Sequence, residues 1–79
     1  MLKFSKVIPL KNYVLEITLN DGRVIKFDVE TQLELIPAYK KLYDVNFFNT
    51  VKCSSYRIYW NDDYDFHIHQ VLEACEPIL

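Results

Sequence analysis

Glycine is almost missing from this chain, with Gly22 the only one in 79 residues. A phosphate-cradling loop needs several glycines, so nucleotide binding through such a loop is excluded. Proline is scarce too, at three residues, and the two together are too few for a linker or a disordered tail. Cysteine is limited to Cys53 and Cys75, whereas a secreted domain this short would usually carry more, evenly paired. No apolar run approaches the ~20 residues of a membrane span. The stretch Met1–Lys6 lacks the run of about 7–15 apolar residues that export needs. A cytoplasmic protein with both thiols reduced and no membrane association is therefore expected. An excess of charge is also absent: nine basic and eleven acidic residues give a net charge of -2. The cations are scattered, only Lys40 and Lys41 being adjacent. Phosphate binding by counterion release needs several on one face, so nucleic acid is not an expected partner.

What the chain has is apolar and aromatic material. Hydrophobic residues make up 51%, including six Tyr, five Phe and one Trp. That offsets a handicap of size, since a domain this small buries only about 60% of the surface its unfolded chain exposes. Length allows a single domain, 1–79, around one core.

The clearest pattern is a hairpin. Tyr13, Leu15, Ile17 and Leu19 alternate with polar residues, and so do Ile25, Phe27 and Val29, which is the period of a strand with one wet face. Asn20-Asp21-Gly22 lies between them. A two-residue loop would set Ile17 opposite Lys26 and mix the faces. A three-residue loop pairs Ile17 with Ile25, Leu15 with Phe27, Tyr13 with Val29 and Glu16 with Lys26. Register follows the buried face, so a type I turn with Gly22 in the left-handed bulge position is predicted. Leu2–Leu10 reads as a first strand, at a sheet edge because of Pro9. Thr31-Gln32-Leu33-Glu34 fits a capping box, giving a short turn over 32–36, and Pro37 then opens a helix to about Tyr43. Asp44–Phe48 reads as a connection. Thr50–Cys53 and Tyr56–Trp60 form a second hairpin around Ser54-Ser55, with Val51 facing Ile58 and Cys53 facing Tyr56. A final helix is capped by Asp65 and carries the stripe Ile68, Val71, Leu72 and Cys75. Pro77 marks its end. The fold class is α+β: two layers, a mostly antiparallel sheet of two hairpins plus an N-terminal strand, with one or two short helices packed on it.

Chemistry is concentrated in Trp60–His69, which holds three carboxylates and both histidines. A calcium loop on Asn61, Asp63 and Asp65 would need Gly where Phe66 stands and Glu where Leu72 stands. On a helix, His67 and His69 lie about 200° apart and cannot share an ion, although on a strand they would share a face. A solvated acidic turn followed by two surface histidines is the simpler reading. Acid–base chemistry with Asp62, Asp63 and His67 needs a cleft that shifts pKa values, and no cleft is visible in the sequence. A Cys–His nucleophile pair lacks an orienting group; Cys75 falls on the apolar stripe and Cys53 ends a strand. Tyr56, Tyr59, Trp60 and Tyr64 could stack bases, but only Arg57 and Lys52 accompany them. Sheet packing or a protein-binding patch suits them better. No catalytic, cofactor-binding or metal-ligating residue is assigned, and no cofactor is expected.

The run Tyr13–Gly22 continuing to Phe27-Asp28-Val29, then Leu42–Phe48, Ile58-Tyr59-Trp60 and Asp65, resembles a small bacterial domain-of-unknown-function family, DUF2442. It also resembles in fold the N-terminal domain of an uncharacterised Nitrosomonas protein. The likeness spans about residues 7 to 72 and implies a fold without an assigned activity. Some members resembling it carry a helix-turn-helix after this domain, and others stand alone near toxin–antitoxin-like genes. The expected function is a non-catalytic protein-interaction or regulatory accessory module, binding a protein partner or a second copy of itself. The alternative is a metal-dependent hydrolase or nuclease using the Asp62–His69 segment.

Overall fold

The computed structural model describes residues 1–75, so the stop expected at Pro77 lies outside them. The first sheet holds three antiparallel strands, β1 (Phe4–Pro9), β2 (Val14–Leu19) and β3 (Val24–Asp28), in the order β1-β2-β3. Alternation decides which face is covered: Leu15, Ile17, Leu19 and Phe27 are buried, while Lys26 is exposed. Ile17 pairs with Ile25, Leu15 with Phe27 and Glu16 with Lys26, the register of the three-residue loop. Leu19 N–H donates to the Arg23 carbonyl at 2.8 Å to close that loop, and Gly22 has φ +94°. The ladder stops at Val14 and Asp28. The expected Tyr13–Val29 pair does not form, because Tyr13 ends a 3-10 turn, Lys11–Tyr13, and Val29 opens a helix. Pro9 lies on the edge strand as expected. Leu10 N–H bonds the Val14 carbonyl, so ladder bonds fall on either side of the Pro9–Leu15 pair and Pro9 has no amide to miss. In the Lys11–Tyr13 turn, Asn12 and Tyr13 both sit in the left-handed region, at φ 63° and 62°. Side chains other than Gly rarely adopt it. The Tyr13 ring packs edge-on against Tyr43 and Phe48, and its hydroxyl donates to the Tyr43 carbonyl.

The starts of the first two α-helices differ from the sequence expectation for one physical reason: aspartates at strand and loop ends cap first. In α1 (Val29–Leu35) the Asp28 carboxylate accepts from Glu30 N–H at 3.1 Å. The Thr31 hydroxyl donates back to the Asp28 carbonyl, so the Thr31–Glu34 capping box is not made and the helix covers the predicted turn. Pro37–Tyr43 is a 3-10 helix with Pro in its first turn. The expected connection after it contains one helical turn, α2 (Val45–Phe48), capped by Asp44 through Asn46 N–H at 3.0 Å.

The second sheet is also three-stranded and antiparallel, with β5 (Arg57–Tyr59) between β4 (Lys52–Cys53) and β6 (Asp65–His67). Its hairpin register is not the expected one: Cys53 pairs with Ile58 and Lys52 with Tyr59. Ser54 N–H donates to the Arg57 carbonyl, leaving Ser55-Tyr56 at the tip. Tertiary bonds hold that tip, since the Ser55 carbonyl accepts from Phe4 N–H and the Tyr56 carbonyl from Ile68 N–H, each at 2.8 Å. Asp65, expected as a helix cap, is instead the first residue of β6. Helix α3 (Ile68–Cys75) is capped from His67: Gln70 Oε1 accepts from His67 N–H at 2.9 Å, and His67 Nδ1 accepts from His69 N–H at 3.3 Å. This is the reciprocal pattern of a capping box with His in the place of Ser or Thr. The α3 stripe is as expected, with Ile68 and Val71 buried and Leu72 and Cys75 half-buried.

One core joins the two sheets. Phe27 of β3 meets Phe66 of β6 edge-on at 5.2 Å, Phe66 meets Trp60 at 6.1 Å, and Trp60 meets Phe48 at 5.8 Å. Trp60 Nε1–H donates to the Phe48 carbonyl at 2.8 Å, which satisfies the one polar atom of the buried indole. The architecture is α+β, with short helices packed on antiparallel sheets.

Candidate functional site

The expected acidic turn lies between β5 and β6 and is an Asx turn. Asn61 Oδ1 accepts from Asp63 N–H at 2.8 Å and Tyr64 N–H at 3.1 Å, which is a structural use of the side chain that calcium binding would need. Asp62 and Asp63 are exposed there. Asp65 is committed elsewhere, to Arg57 Nε at 2.9 Å across the β5–β6 pair. Among the described residues no three His, Cys, Asp or Glu side chains stand together as a metal site would require. The metal-dependent hydrolase or nuclease alternative therefore has no support from the structure.

The cysteines make no pair with histidine. Cys75 donates to the Lys26 carbonyl at 3.3 Å, and burial pushes its thiol up to about 11. Burial raises the Cys53 thiol as well. Both are shifted away from the thiolate that nucleophilic chemistry uses. The aromatics form no common platform. Trp60 is buried, Arg57 lies over Tyr59 at 5.0 Å, and Tyr64 packs edge-on against Tyr39 and Phe47.

The two histidines are where the structure departs most from the sequence reading. They are not on opposite sides of a helix. His67 ends β6 and His69 stands in the first turn of α3, so the chain bends between them and the rings stack 5.0 Å apart, 23° from parallel. Together they form one wall of a cleft of about 290 Å³. Its floor is Leu2, Ile68 and Leu72, and Tyr56 stands on the rim, its hydroxyl donating to Met1 Sδ at 3.2 Å. A pocket with an apolar floor and a few polar groups on its rim is the usual form of a binding site. Leu2 and Tyr56 carry no local signal for this role; it arises because the N-terminal segment, the β4–β5 tip and the start of α3 meet. A wider indentation of about 380 Å³ at Pro9, Leu10, Lys11, Val45 and Asn49 is more open and holds none of the groups singled out above. No helix of the described residues is long and apolar enough to cross a membrane.

Comparison with known proteins agrees with the fold-level resemblance. The family described as "Protein of unknown function (DUF2442)" matches residues 4–77. No curated protein and no solved structure matches the chain, so the Nitrosomonas likeness is not shown.

Proposed function

The chain belongs to the DUF2442 family, and since that membership brings no activity with it, we propose from the site itself that this is a non-catalytic protein-interaction module. The observation that carries the proposal is the cleft: an apolar floor of Leu2, Ile68 and Leu72 beside Tyr56 and the stacked His67–His69 pair. Interface hot spots favour this kind of pocket, where an apolar anchor is desolvated and aromatic rim groups exclude water. The side chains that could have served catalysis are occupied in ways that suit structure: Asp65 by Arg57, Asn61 by its turn, Cys75 by the Lys26 carbonyl. A cytoplasmic setting fits two thiols that are free rather than bridged. Such a module suits the accessory half of a bacterial regulatory pair.

The test is affinity capture from the native cell with the domain as bait, run beside the Leu72→Glu variant. Leu72 is half-buried at the cleft floor, so a charge there should abolish docking while the rest of the core stays packed. A partner retained by the parent and lost by the variant, with the variant's circular dichroism unchanged, supports the reading. Capture of the same proteins by both, or of none by either, rejects it.

A further inference from the structure

Among the described residues, the rim of the cleft carries hydrogen-bond donors and no carboxylate. The Tyr56 hydroxyl donates to Met1 Sδ, a thioether and a weak acceptor, on a residue that is 95% exposed. An anionic oxygen would be the better partner. His67 Nδ1 accepts from His69 N–H, which puts the proton of the neutral ring on Nε2 and makes that atom a second donor. The acids nearest in the chain are turned to other partners or surfaces: Asp65 is held by Arg57, and Glu73, one turn on from His69, lines a separate indentation with Gln70 and Ala74. Lys3, next to Leu2, is paired with no carboxylate among the described residues.

Resting on the interaction reading above, we propose that the cleft binds an extended acidic segment of a partner protein. One apolar side chain of that segment sits on Leu2, Ile68 and Leu72. A neighbouring carboxylate displaces the Met1 thioether from the Tyr56 hydroxyl and accepts from His67 Nε2. Apolar floor and donor rim thus select a pair of adjacent residues, one greasy and one negative, over either alone.

The experiment titrates the 15N-labelled protein with three synthetic peptides that share one Leu in an Ala frame and differ in the two residues after it: Glu-Glu, Gln-Gln or Lys-Lys. The expected result is movement of the amide signals of Tyr56 and of residues 67–72 with the Glu peptide. Its affinity should be roughly tenfold above that of the Gln peptide, as charge-assisted bonds imply, and the Lys peptide should be weakest. The margin should shrink in about 1 M salt, where screening acts over ~3 Å. Tyr56→Phe keeps the ring and removes the donor, so it should erase most of the Glu preference. Equal binding of Glu and Gln peptides, a preference that survives Tyr56→Phe, or no movement of these signals with any peptide overturns the acidic-segment proposal. If Leu72→Glu still releases a captured cellular partner in that case, the interaction module stands and only its partner chemistry falls.

Discussion

A Cβ added at Gly22 would meet nothing within 4 Å, yet the backbone there has φ +94°. Space is available and conformation is the obstacle. Gly22→Ala is expected to cost about 1–2 kcal/mol, the penalty for an L-residue in a left-handed backbone, seen as a lower urea midpoint with unchanged slope. Cys75 makes the second residue-scale prediction. Burial lifts its thiol to about 11, so the folded state favours the protonated form. Below the ordinary thiol range, near 8.5, both states are protonated and the group contributes no pH dependence. As pH rises from there toward 11 the unfolded chain ionises first, and stability falls. Iodoacetamide at pH 8 should therefore modify Cys75 in the folded protein far more slowly than in urea, and Cys75→Ala should flatten the alkaline loss. These two roles differ in legibility. Gly22 was readable because turn chemistry is local. The partner of Cys75, a carbonyl 49 positions away, has no sequence signature.

At the scale of elements, the register of the β2–β3 hairpin is legible, though not its end at Val14 and Asp28, because five cross-strand pairs repeat one alternation and a single glycine sets the loop. The second sheet is not. Asp65-Phe66-His67 is too short to show a period, so an aspartate before an apolar stripe read as a helix cap, and β6 was missed. The same ambiguity put His67 and His69 on one helix and apart, when the strand-to-helix bend brings them together. Helix α1 starts earlier than the Thr31–Glu34 signal predicts because Asp28 both ends a strand and caps the helix. The ion pair across β5–β6 gives this scale its prediction. Arg57 and Asp65 are each 39% exposed, so water screens them. Asp65→Asn should cost only about 0.2–1 kcal/mol, and the difference should narrow in high salt when denaturation midpoints are compared. A loss well beyond that range would mean that Asp65 does more than hold this pair.

Across the whole molecule, two small sheets depend on one another. Phe66 is fully buried and its ring meets those of Phe27, Tyr39 and Trp60. Phe66→Ala should remove about 3–5 kcal/mol, a large share of the roughly 5–15 kcal/mol that holds a domain together. It should also lower the stability of both sheets at once: Trp60 fluorescence, which reports the second sheet, and far-ultraviolet circular dichroism, which reports both, should give coincident midpoints. The cleft belongs to this scale as well. It is built from residues 1–2, 56, 67–69 and 72, which no short window of sequence contains. Helix α3 has a further consequence at its far end. The bond from Leu19 N–H to the Arg23 carbonyl puts the outward amides of β3 at Val24, Lys26 and Asp28, and α3 lies along this strand with Cys75 capping the Lys26 carbonyl. An open edge of this kind is a template for pairing with neighbouring chains. The helix that walls the cleft thus also guards against aggregation, and a lesion that frays α3 would turn the domain into a seed for intermolecular β-structure.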